Sequence, residues 1–461
     1  MSPMLERTSD TERTVTEAST DAAAPPATPR DFHLCAFGMG GSVSATIEAA
    51  AAALRPHVAR LTVTLIDLQS FHLRAPGRMK APGCDRILRV QPSDVGYRTP
   101  TRSMTLNLAV SGGRLAHRRM IRFARAQLAE LDPDVVLCCH DRFYIETAYI
   151  RAAEWLGKPT VFLQEGPFCV IGHGGANDWK LRLKFALAPW ARRLGLTPGM
   201  PDYGLAGHTR LLAASADYSA AWQRRGIPPE RITLTGCPRY DNLVEARERR
   251  RQQYRATTGL EAERPAEIMV LLQPFGAHGK VAPNSARAAM REVAEALNQL
   301  GAARKISLAV RQHPRASDAD AAPLIDHLTI PYRQEKAEPS FPTRAADLDL
   351  TVGFYSSAIL ESIAIGVPAV CCMLPPQSFA EPGEAAKQMR LSELGVDMAS
   401  TAAALAVAMT RKLDHSAGIR PDVKAASREI GPVDGQASER VAKALLDIGS
   451  TARQKAEGPA S

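Results

Sequence analysis

Apolar and polar positions fall into alternating blocks along this chain: short apolar runs of strand length, each followed by a longer stretch of helical period. The first run is Phe32-His33-Leu34-Cys35-Ala36-Phe37, and an alanine-rich stretch from Ser42 to about Leu54 follows with helical character. Leu61-Thr62-Val63-Thr64-Leu65-Ile66-Asp67 predicts a second strand, and the segment from about Leu115 to Glu130 predicts a helix. That helix leads into the strand Asp134-Val135-Val136-Leu137-Cys138-Cys139, which ends at His140-Asp141. A helix around Glu146 to Leu156 precedes Thr160-Val161-Phe162-Leu163-Gln164, which stops at Glu165-Gly166-Pro167. After a basic segment, Arg247 to Arg255, the pattern restarts with strands at Ile268–Leu272, Ile306–Val310 and Leu348–Val352. Strand and helix in regular succession predict an α/β architecture of doubly wound parallel sheets.

A chain of 461 residues exceeds what one compact core holds. The composition shift near 250–265 marks the expected boundary, so the reading is two Rossmann-like domains, 31–250 and 251–448, facing across a cleft. Residues 1–30, rich in Ser, Thr, Ala, Pro and charge, are expected to be a disordered tail, and 449–461 a flexible one.

The formal charge of +9 favours an anionic partner, with nucleotide sugar, anionic glycan, anionic lipid and nucleic acid all in range. With aromatic content at 5% and no RNA-binding or zinc-finger signature, nucleic acid drops out of the reading. Eight cysteines, four of them in two adjacent pairs within apolar runs and none in a C-x-x-C, point to buried thiols in a reducing, cytoplasmic compartment. The N-terminus has no apolar signal-peptide core, and no apolar run reaches the length of a membrane span.

Two candidate anion-binding devices stand in the second half. The run Ile306–Val310 ends at Arg311-Gln312-His313-Pro314-Arg315, which places Arg311, His313 and Arg315 at a strand end, in a turn set by Pro314. Open parallel sheets bind ligands at that edge. Further on, a strand ending at Gly353 is followed by Ser356 and Ser357 and a short apolar helix, whose N-terminal N–H groups and dipole favour a phosphate. Glu361, one turn into that helix, can accept hydrogen bonds from two ribose hydroxyls. A plain helix cap is the competing reading of the serines.

Other features keep two readings each. The Gly38-Met39-Gly40-Gly41 loop either presents backbone N–H groups to an acceptor or phosphate or is a tight turn. His140 and Asp141 either line the acceptor side of the cleft or pair within their own turn. The stretch Trp179 to Arg193 mixes cationic and bulky apolar residues, as a helix lying on an anionic membrane does, or as a half-buried element does.

Gln164-Glu165-Gly166, Thr235-Gly236-Cys237-Pro238-Arg239-Tyr240-Asp241, His313-Pro314, Ser356-Ser357 and Asp434-Gly435-Gln436-Ala437-Ser438-Glu439-Arg440 occur in an order that resembles the GT-B glycosyltransferases. The resemblance is to the bacterial capsule polysaccharide, Kdo and polysialic acid transferases and the CDP-glycerol glycerophosphotransferases. It implies that Glu165 is the general base on an acceptor hydroxyl, that His313 contacts the departing donor phosphate, and that Ser356 and Ser357 hold that phosphate. The polysialyltransferase pattern has two acids before the glycine, whereas this chain has Gln164 at the first position. Implied partners are a nucleotide-sugar donor, CMP- or CDP-linked, and a glycan or glycolipid acceptor, at the cytoplasmic face of the inner membrane or free in the cytoplasm. No Asp-x-Asp triplet stands at a strand end, so neither metal nor cofactor is expected. A non-hydrolysing UDP-N-acetylglucosamine 2-epimerase is the alternative, sharing the strand-Glu-Gly turn and the serine-helix site. A non-catalytic GT-B-like binding protein is a second alternative.

Overall fold

The computed structural model describes residues 30–38, 42–73, 79–101, 103–167, 169, 179–257, 264–275, 280–313, 316, 318–335, 340–380, 382–414 and 422–457. Two all-parallel sheets organise it. The first runs in the order β3-β2-β1-β4-β5-β6-β7, built from β1 Phe32–Gly38, β2 Leu61–Asp67, β3 Arg86–Arg89, β4 Val135–Cys138, β5 Thr160–Leu163, β6 Arg210–Ala213 and β7 Ile232–Leu234. The second runs β10-β9-β8-β11-β12-β13, built from β8 Ala266–Leu271, β9 Ile306–Arg311, β10 Tyr332–Glu335, β11 Leu350–Gly353, β12 Ala369–Cys372 and β13 Asp397–Ala399. In each sheet the first strand of the domain sits centrally and the order reverses beside it, so both carry the switch point at which doubly wound sheets open a crevice. The central strands are apolar because helices cover both of their faces; β4, β5, β11 and β12 are buried at every position.

The interdomain boundary differs from the expected one. Helix Leu243–Thr257 carries Leu243 and Ala246, with Tyr240 just before it, into the core of the second domain. Its Arg249 pairs with Asp347 of that domain at 2.8 Å. The chain therefore passes over at the Gly236–Asp241 turn, and residue 250 lies within a helix. The C-terminal segment, expected as second domain followed by a tail, is one helix, Ala437–Glu457, that returns to the first domain. Val441, Ala442, Leu445 and Ile448 join the core around β1, β2 and β4.

Two of the short motifs fasten this return. Asp241 accepts from the backbone N–H of Ala437 at 2.9 Å and of Ser438 at 2.8 Å, capping the terminal helix. Arg440 Nε donates to the Thr235 carbonyl at 2.7 Å, and its guanidinium also pairs with Asp434 at 2.8 Å. At the same junction Gly431 takes φ +86°, and a Cβ built there would lie 2.0 Å from the Ala214 carbonyl oxygen. Only glycine fits that approach. All eight cysteines are free thiols, and both adjacent pairs are buried.

Candidate functional site

Because every strand is parallel, each sheet gathers its strand C-termini along one edge, and those two edges face each other across the cleft. Glu165 stands at the end of β5, half-buried. Its neighbour Gln164 is fully buried, with Nε2 donating to the Gly166 carbonyl at 3.1 Å and Oε1 accepting from Ala214 N–H at 3.1 Å. Gln164 is thus the brace that sets the turn. A second acid there would place a carboxylate oxygen against the Gly166 carbonyl. The Glu165 carbonyl accepts from the Cys237 thiol at 2.8 Å, which ties this turn to the interdomain crossover.

Arg239, in the Gly-Cys-Pro-Arg-Tyr turn of that crossover, joins the two rows. Its Nη2 reaches Glu361 Oε1 at 3.3 Å, its guanidinium lies 4.8 Å over the Tyr240 ring, and a Cβ on Gly166 would sit 3.9 Å from its Nη1. Both Glu361 and Glu165 act on its charge. In the sequence this motif assigns Arg239 no role. Its signal was there, an arginine in a turn otherwise built of glycine, proline and a cap. Tyr240 is buried, and its hydroxyl has no hydrogen-bond partner among the described residues.

On the second domain, Glu361 is buried one turn inside helix Ser357–Ile365. Burial pushes its carboxyl above the ordinary range, and the Arg239 and Arg311 charges offset this only in part. Arg311 closes β9, is itself buried, and has Glu335 at 4.0 Å and the Phe341 ring at 6.0 Å. His313 follows two residues on, half-buried, with its carbonyl accepting from Ala316 N–H at 2.8 Å. Pro314 and Arg315 lie outside the described residues. Ser356 is the N-cap of helix Ser357–Ile365, its Oγ accepting from Ala358 N–H at 3.3 Å; Ser357 opens the helix, and both serines are half-buried. The capping reading and the phosphate reading coexist, since one hydroxyl bond leaves the other N–H groups of the first turn to an anion.

The first-domain residues separate. Gly38 ends β1, and a Cβ there would meet Val43 Cγ1 at 2.6 Å, so it serves the packing of β1 on helix Ser42–Leu54; Gly40 and Gly41 lie outside the described residues. Asp141 corrects the expectation of an acceptor-side group. It is fully buried and accepts from Gly204 N–H at 3.0 Å, Ala206 N–H at 3.1 Å and His208 Nε2 at 3.1 Å, so its carboxylate is consumed in holding the 204–208 loop. His140 is partly exposed at the end of β4, and its Nδ1 pairs at 2.8 Å with Oε2 of Glu146, which is buried. That same Oε2 accepts from Phe143 N–H at 3.1 Å as a helix cap, and Oε1 has no partner among the described residues. Burial opposes an imidazolium at His140, but the charge and hydrogen bond of Glu146 outweigh it and raise its ionisation above the ordinary value. Glu146 has no role in the sequence reading: it accepts from the Phe143 N–H, but Phe143 has no side-chain acceptor, so the Ser/Thr-x-x-Glu signature of a capping box is absent.

Beside the Glu165 turn a cavity of about 600 Å³ opens between the domains, bounded by Cys169, Tyr218, Lys387, Arg390 and Glu429. Its walls are tied together across the interface: Tyr218 donates to Glu429 at 2.7 Å, and Arg390 bridges Glu429 at 2.5 Å and Asp217 at 2.6 Å.

No family model matches this chain, and no curated protein matches it by sequence. Solved structures match its fold. UDP-GlcNAc 2-epimerase from Neisseria meningitidis, solved bound to UDP-GlcNAc, aligns with TM-score 0.52 at 15% identity over 90% of this chain and 100% of its own. The UDP-GlcNAc 2-epimerase of Methanocaldococcus jannaschii aligns with TM-score 0.54 at 13% identity over 90% and 99%. Acinetobacter baumannii MurG aligns with TM-score 0.50 at 15% identity over 91% and 100%. The architecture is therefore the GT-B one, two Rossmann-like domains facing a cleft. Identity at this level shows the fold, and the expected capsule, Kdo or CDP-glycerol subfamily is not distinguished within it.

Proposed function

We propose that this chain is an enzyme acting on a nucleotide-activated sugar, with the nucleotide on the second domain and the chemistry at Glu165. The observation that supports this reading is the Arg239–Glu361 ion pair of 3.3 Å, which links the first-domain crossover beside Glu165 to helix Ser357–Ile365, whose N-terminus favours an anion. A leaving phosphate there meets the Arg311 guanidinium, His313 and the helix N-terminus, which together disperse the developing negative charge. In transfer, Glu165 takes the proton of an acceptor hydroxyl, the oxygen attacks the anomeric carbon, and the bond from that carbon to the phosphate oxygen breaks. The nucleotide leaves with the electron pair. Arg239 serves this site from the first domain by holding Glu361 and facing Glu165.

A second reading is epimerisation of the sugar on its nucleotide, favoured by the fold shared over nearly the whole chain with the meningococcal and archaeal epimerases. That reaction needs no acceptor, which separates the two. Incubation with CMP-, CDP- and UDP-sugars gives acceptor-dependent free nucleotide for transfer and a C2 epimer without acceptor for epimerisation. Neither product, together with no nucleotide binding by calorimetry, overturns the reading altogether. In either reaction Glu165→Gln is expected to keep nucleotide affinity and lose conversion by about 10²–10⁴-fold. A near wild-type rate in that variant removes Glu165 as the base.

A further inference from the structure

Large apolar side chains exposed on this molecule concentrate on one face of the first domain. Leu183, Leu187, Trp190 and Leu194 are 50%, 52%, 60% and 72% exposed and recur at helical spacing along and just past helix Trp179–Arg193, forming a single stripe. Leu106 and Val110 of helix Met104–Val110 and Leu115 of helix Arg114–Leu131 are exposed as well, at 48%, 46% and 60%. These helices adjoin the stripe, since Arg114 donates through its backbone N–H to Gly195 at 3.2 Å and through Nη2 to the Arg192 carbonyl at 2.8 Å.

Charge on this face is one-sided. No Asp or Glu occurs from residue 98 to 129 or from 179 to 201, while Arg114, Arg118, Arg122, Arg192 and Arg193 stand exposed around the apolar stripe. Tyr144, at the start of the helix after β4, has its hydroxyl beside the side chains of Thr105 and Thr197. The face therefore lies at the strand-end side of the first sheet, the side of His140 and Glu165.

We propose that this face docks on an anionic lipid bilayer, with the Leu183–Leu194 stripe entering the headgroup boundary and the arginines meeting lipid phosphates. An apolar stripe ringed by cations satisfies both needs of an interfacial helix, buried apolar area and attraction to negative lipid. A second copy of the chain is the poorer occupant, because a two-fold contact would set these arginines against their own images. The inference rests on surface chemistry alone and stands apart from the nucleotide-sugar reading.

The test is co-sedimentation of the full chain with vesicles of phosphatidylcholine containing phosphatidylglycerol and with vesicles of phosphatidylcholine alone, read together with tryptophan emission. Binding to the anionic vesicles with a blue-shifted emission is expected, weakened by salt at about 0.5 M because exposed charges are then screened. The variant Leu187→Ser/Trp190→Ser/Leu194→Ser removes exposed groups only and is expected to melt as the wild type does. Its partitioning onto the same vesicles should fall by about tenfold or more. Arg192→Gln/Arg193→Gln tests the cations separately and should reduce binding to anionic vesicles. The proposal is overturned by absence of vesicle binding, by equal binding to both vesicle types, or by wild-type partitioning in the triple-serine variant. A wild-type dimer that the same variant dissociates, without vesicle binding, assigns the face to self-association instead.

Discussion

Replacing Glu146 by Gln removes a negative charge 2.8 Å from His140 Nδ1 while keeping the size of the side chain and an oxygen for the Phe143 N–H. The groups facing His140 are Glu146, Asp141 and Arg142 in charge and Phe143 and Tyr203 in ring contact. Asp141 is already committed to His208, so Glu146 is the carboxylate that holds the His140 proton. Losing a hydrogen bond to a charged group costs about 1.5–3 kcal/mol. Since a tenfold change in ionisation equals about 1.4 kcal/mol, the His140 titration should move down by about one to two pH units. Burial is then opposed only by the Asp141 charge, so His140 loses the raised ionisation that Glu146 gives it. Because the native pair raises the ionisation, its stabilisation is complete below the unfolded value of 6.5 and is lost as pH rises through the folded one. The variant should therefore be destabilised most near about pH 6 and progressively less toward about pH 9. NMR titration of the His140 ring, with urea unfolding at both ends of that range, measures each part. A His140 resonance that titrates at the same pH in both proteins, or a destabilisation independent of pH, refutes the argument and leaves Glu146 as a helix cap alone.

Two further outcomes follow from buried groups. Gln164→Glu should destabilise the fold by about 1–3 kcal/mol in urea unfolding at neutral pH, because the donor to the Gly166 carbonyl becomes a second acceptor in a site without water access; a variant as stable as wild type contradicts the bracing role. His117 is buried against Thr147 at 3.1 Å, and burial lowers its ionisation from 6.5 to about 4. The unfolded chain then binds a proton that the fold refuses, so stability present above about pH 6.5 declines toward pH 4, by about 3 kcal/mol at most. His117→Gln should flatten that part of the pH dependence relative to wild type, and an unchanged slope would locate the acid sensitivity elsewhere.

The runs that became β1, β2, β4, β5, β8, β9 and β11 were legible in the sequence because a strand covered on both faces must be apolar throughout. Edge strands left no such record. Arg86–Arg89 and Tyr332–Glu335 have no buried position, need no apolar run, and are strands only because β2 and β9 offer them a free edge. The strand-end positions of Glu165, Arg311 and His313 followed from where apolar runs stop. Their surroundings did not. Asp141 and Glu361 look alike in the sequence, each an acid near a strand end or helix start, yet one is consumed by the 204–208 loop and the other faces Arg239. The Thr-Gly-Cys-Pro-Arg-Tyr-Asp segment read as a single motif, but the fold divides its labour: Asp241 caps the returning helix and Arg239 turns to the cleft. Patterning along a chain reports whether a position is buried, since burial selects for apolarity residue by residue. Which charged group meets which, across the 122 residues that separate Arg239 from Glu361, is decided only when two sheets pack edge toward edge.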